Sequence, residues 1–87
     1  MAKYESLLAK ILGGTADASI GFNELRHLLE RLGFEERIRG GHHIFTNERV
    51  EDILNLQPKG RDAKPYQVKQ VRTVIVKYRL AGGTDGQ

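Results

Sequence analysis

Gly40-Gly41-His42-His43-Ile44-Phe45 is the stretch whose residue types could do chemistry. Imidazole is the side chain that titrates near neutral pH without help, so histidine is the usual acid or base of metal-free catalysis. The preceding glycines permit positive φ and the close approach of another backbone. The reaction that suits this group is attack of an RNA 2′-hydroxyl on its neighbouring phosphorus. That reaction needs a base for the hydroxyl proton, a cation or donor for the developing charge, and an acid for the leaving 5′-oxygen. It leaves a cyclic phosphate and ignores DNA, which has no 2′-hydroxyl.

A histidine beside a Gly-Gly turn, with lysines nearby, supplies the base and the charge; the acid is not evident. A metal nuclease would instead need clustered carboxylates. Glu48, Glu51 and Asp52 are the available group, and they read as a solvated turn. No Walker loop, Rossmann fingerprint or nucleophilic Ser or Cys lies near the histidines, so no cofactor and no metal are expected. Adjacent residues on a strand point to opposite faces. His42 and His43 therefore cannot readily serve one substrate. If Phe45 is core, His43 lies toward the core and His42 faces outward; the reverse parity exchanges them.

Charge placement points to the same class of partner. Residues 1–58 carry seven Lys/Arg against nine Asp/Glu and are net −2, whereas residues 59–79 carry seven against Asp62 alone and are net +6. A basic half beside a near-neutral half is the pattern of a nucleic-acid face. Lys59, Arg61, Lys64 and Lys69 lie in or just after a basic loop that runs into a helix start, where phosphate is favoured. The chain has 87 residues and no cysteine, which fits one domain without disulfides or thiolate metal sites. No apolar run is long enough to span a membrane, and the start lacks a signal-peptide core, so a cytoplasmic protein is expected.

The elements that must position these residues follow from periodicity. Tyr4, Leu7, Leu8 and Ile11 form one helical stripe over residues 3–12, ended by Gly13-Gly14. Leu25, Leu28, Leu29 and Leu32 form a second, capped by Gly21 and closed by Gly33. His27 falls off that stripe and reads as exposed. Residues 34–39, 42–46 and 53–57 read as strands, joined by the Gly40-Gly41 hairpin and by a polar turn over 47–52. Pro58 ends the third strand. Pro65 starts a helix in which Val68, Val71, Ile75 and Tyr78 recur on one side and Val76 falls, without explanation, on the other. The order α-α-β-β-β-α predicts an α+β sandwich, a three-stranded antiparallel sheet with helices on one face. Residues 1–80 form the expected domain, and 81–87, rich in glycine, a disordered tail.

The run from Leu25 to Phe34, then Gly40 to Phe45, a strand, a basic loop and a Pro-started helix resembles the HicA family of messenger-RNA interferase toxins. The resemblance covers roughly residues 22–80, with the helix over 3–12 as an addition at the N-terminal side; residues 3–14 resemble a longer-chain branch of the family. It implies a double-stranded-RNA-binding-domain-like fold, α-β-β-β-α. It implies endoribonuclease activity on mRNA and a HicB-like antitoxin that covers the histidine. The family's catalytic histidine follows a Gly-Ser pair, a position that falls on His42, with Gly40 and Gly41 as the turn that meets RNA. Here Gly41 replaces the usual serine and contributes no hydroxyl. Many relatives carry another histidine just after the third strand, where this chain has Gln57-Pro58-Lys59; Lys59 or water would then be the acid. The alternative is a non-catalytic RNA-binding or protein-interaction module of the same fold.

Overall fold

The structure, a computed structural model, describes residues 2–81. The first helix, α1, spans Ala2–Gly13 and ends where Gly14 takes φ +73°. A short 3₁₀ turn at Asp17–Ser19 leads to α2, Phe22–Arg31, whose N-cap is Gly21 and whose first turn carries Glu24. An acid there complements the positive helix end. Leu25, Leu28 and Leu29 are buried on its inner side.

Three antiparallel strands follow in the order β1-β2-β3: β1 at Glu35–Arg39, β2 at His42–Asn47 and β3 at Val50–Leu56. Arg39 pairs with His42, so Gly40 and Gly41 alone make the turn, with φ of +54° and +85°. A two-residue hairpin with both φ positive is the type I′ geometry that matches strand twist. Glu36 pairs with Phe45, and Phe45 with Leu54. Phe45, Leu54 and Leu56 are buried beneath the helices. Arg37, Arg39, His42, Thr46, Ile53 and Asn55 lie on the other, open face and are exposed.

Two sequence expectations need correction here. The third strand begins at Val50, not Ile53, and the turn before it shrinks to Glu48-Arg49. Val50 pairs with Asn47 and is buried; Glu51 and Asp52 extend the strand because one side of an edge strand faces water. Nor does Pro58 end pairing altogether. Pro58–Lys59 (β4) and Asp62–Ala63 (β5) form a small hairpin around Gly60-Arg61. It is stitched to α2 by Phe22 N–H to the Arg61 carbonyl at 2.9 Å and Ala63 N–H to the Ile20 carbonyl at 2.8 Å.

The last helix, α3, spans Pro65–Lys77 with Pro65 in its first turn. Val68, Val71, Val74 and Ile75 enter one core with Ile11, Ile20, Leu25, Phe45 and Leu56. Buried Gln67 accepts the Gln57 N–H at 3.3 Å and so pins the end of β3 to α3. Arg72 donates to the Ile11 carbonyl at 3.1 Å and grips Asp17 through both carboxylate oxygens at 2.9 and 3.2 Å. That clasp seats α1. Ala81 packs against the core; the rest of the expected tail, residues 82–87, lies outside the described residues.

Candidate active site

With Phe45 buried, His42 projects from the open face and His43 toward the helices. The two histidines thus belong to two separate environments. On the open face, His42 Nδ1 lies 3.0 Å from Asn55 Oδ1. An amide oxygen only accepts, so Nδ1 carries the hydrogen, and in the neutral ring Nε2 keeps the lone pair. Asn55 reaches His42 because it pairs with Ile44, two residues along β2 on the same face. Arg39, directly opposite His42 in the β1–β2 register, is exposed on this face, with Arg37 two residues behind it. Directly opposed side chains stand about 5 Å apart at Cβ.

On the inner side, His43 Nδ1 lies 2.7 Å from Glu36 Oε2 and its ring meets Phe22 edge to face at 4.9 Å. Glu36 also receives Arg26 through both oxygens, at 2.7 and 3.1 Å, and Arg26 donates to Asn23 at 3.0 Å. The Arg26 hydrogen bond, helped by that of His43, holds the Glu36 carboxyl below its ordinary range although burial pushes it up. His43 borders a cleft of about 700 Å³ between α1, the start of α2 and the β4–β5 hairpin, where Lys10 and Arg61 also lie.

The basic residues singled out from sequence do not share one place. Lys59 is exposed on β4, and Lys64 is the half-buried N-cap of α3. Arg61 borders the His43 cleft, whereas Lys69 borders a different groove beside β3. Asp52 pairs with Lys77 at 3.4 Å, and among the described residues no three His, Cys, Asp or Glu side chains cluster to hold a metal.

A strand–GlyGly–strand turn that presents His42 on an open sheet, backed by helices of this order, is matched over residues 22–82 by the family model described as HicA toxin of bacterial toxin–antitoxin. The chain belongs to the HicA toxin family. The matched segment starts with α2, and α1 lies outside it. No curated protein and no solved structure matches the chain. HicA membership carries, at family level, a toxin of a toxin–antitoxin pair that acts as an mRNA interferase, with RNA as substrate and an antitoxin as partner. Among the described residues no helix is long and apolar enough to cross a membrane.

Asn55 and Arg39 are the neighbours of His42 on the open face that sequence reasoning missed. Their signal was present as strand parity, but parity does not say which residue of one strand lies opposite which of the next. The Gly40-Gly41 turn fixes that for Arg39; for Asn55 it is fixed by the Glu48-Arg49 turn and the register shift between Phe45 and Asn47.

Proposed function

We propose that this chain is a metal-independent endoribonuclease that cleaves mRNA through His42. The supporting observation is the hydrogen bond from Nδ1 to Asn55, which leaves Nε2 as a base on an open face opposite Arg39. Nε2 takes the 2′-hydroxyl proton as O2′ bonds to phosphorus. The Arg39 guanidinium faces the charge that gathers on the phosphoryl oxygens. The P–O5′ bond breaks, Lys59 or water protonates O5′, and the products are a 2′,3′-cyclic phosphate and a 5′-hydroxyl. Gly40 and Gly41 let the RNA backbone approach; Lys59, Lys64 and Lys69 hold flanking phosphates, while Arg61, on the inner cleft, could reach only more distant ones. A HicB-like antitoxin would silence the enzyme by covering the open face.

A second reading is favoured by the carboxylate behind His43. A Glu36–His43 pair facing a cleft with Lys10 and Arg61 is also an acid–base arrangement. One experiment separates the two. The purified protein, His42→Ala and His43→Ala are each incubated with a defined mRNA in excess EDTA. Cleavage lost in His42→Ala and retained in His43→Ala, with cyclic phosphate ends, is the expected result. The reverse pattern transfers the chemistry to the inner cleft. RNA bound by a folded parent but never cut leaves a binding module.

A further inference from the structure

We infer that the groove between the free edge of β3 and α3 is a subsite for one base of single-stranded RNA, with Tyr66 as its stacking ring and Lys69 as its phosphate contact. The inference rests on the RNA reading above and adds a binding site away from His42. β3 is an edge strand, and a groove of about 460 Å³ runs beside it. Ile53 forms one wall; Tyr66, Lys69, Gln70 and Thr73 form the other. Tyr66 is 59% exposed and Ile53 65% exposed, so two large apolar surfaces face water at the same place.

Tyr66 makes no hydrogen bond or ring contact among the described residues, yet its position is fixed, one residue after Pro65 in the first turn of α3. A rigid backbone carrying an uncovered ring suits stacking, because every base has a π face. Residues 66, 69, 70 and 73 share one side of a helix. Lys69, one turn on, forms no ion pair among the described residues; its charge adds to the field at Asp17, which Arg72 already clamps. The carboxylate in the groove, Asp52, is compensated by Lys77. Gln70 and Thr73 add an amide and a hydroxyl able to meet base edges. Val76, 62% exposed, continues the same stripe.

The groove shares Ile53 with the open face that carries His42. Ile53 and Asn55 are two residues apart on the outer side of β3, about 7 Å at strand rise. A base lodged on Tyr66 and Ile53 therefore belongs to a nucleotide close to the scissile phosphate, and the subsite selects which phosphate reaches His42.

The test uses the His42→Ala chain, so that bound RNA stays whole, and a short RNA spanning a cleavage site. A series of that RNA carries one abasic nucleotide at each successive position. Tyr66→Ala should weaken binding of intact RNA about five- to a hundredfold, and Tyr66→Phe should restore it. At one abasic position alone, Tyr66→Ala should have no further effect. Intact RNA bound equally by Tyr66→Ala and its parent overturns the subsite while leaving the nuclease reading in place. So does a Tyr66→Ala loss of the same size at every abasic position. If the parent chain binds no RNA, the RNA reading falls and the subsite with it.

Discussion

A free imidazole in water exchanges its hydrogen between two ring nitrogens; at His42 the amide oxygen of Asn55 restricts that exchange, because it can only accept. Asn55→Ala should remove the restriction without disturbing the core, since Asn55 is exposed. The expected outcome is a His42 ¹⁵N pattern that moves from one tautomer toward a mixture, with cleavage reduced about tenfold or more. Asn55→Asp, which keeps an acceptor in place, should retain the tautomer. An unaltered nitrogen pattern in Asn55→Ala would mean that the amide, whichever face it turns to the ring, does not set the tautomer. His43 is held in the same sense by Glu36, but a carboxylate has no donor face to turn, so that ring has no such ambiguity.

At the level of elements, the β1–β2 hairpin decides which histidine faces out. Both turn residues sit at positive φ, and a side chain at either would meet open space. Gly40→Ala or Gly41→Ala should therefore act through the backbone alone and cost about 1–2 kcal/mol. A thermal melt should record this as a fall of about 4–8 °C per kcal/mol. An unchanged midpoint would show that the turn relaxes. A one-residue slip of register would exchange the faces of His42 and His43. The helices and β2 were legible because their apolar residues keep a period; β1, whose single apolar residue Ile38 is exposed, was legible from the glycines on either side of it. The early half of β3 was not, since Val50-Glu51-Asp52 on an edge strand looks like a turn. The β4–β5 hairpin was not legible either. Two-residue strands built from Pro, Lys, Asp and Ala have no alternation to read, and their partners are the backbone of Ile20 and Phe22. Val76 had no role in any core reading because it has none in the core.

Across the whole molecule, two carboxylates join distant parts. Glu36 links α2 to the sheet through Arg26, and Asp17 holds Arg72 of α3. Hydrogen bonds from those arginines lower both carboxyl groups in the folded chain. Their contribution to stability is thus complete above the unfolded carboxylate range and is lost as pH falls through the lower folded values. Denaturant midpoints measured from pH 7 down to about pH 3 should fall on the acid side. The fall should be shallower in Glu36→Gln and in Asp17→Asn, and an equally steep fall in both would place the acid sensitivity elsewhere. Arg72 also stands 61 residues after Ile11, whose carbonyl it holds. On a ribosome that adds about 5–20 residues per second, α1 is made first and waits seconds for the helix that seats it. Val68, Val71, Val74 and Ile75 arrive in the same late stretch, so the sheet bearing His42 has only α2 behind it, and half a core, until α3 has emerged. The strand that carries His42 is therefore made well before the helix that completes the core behind it.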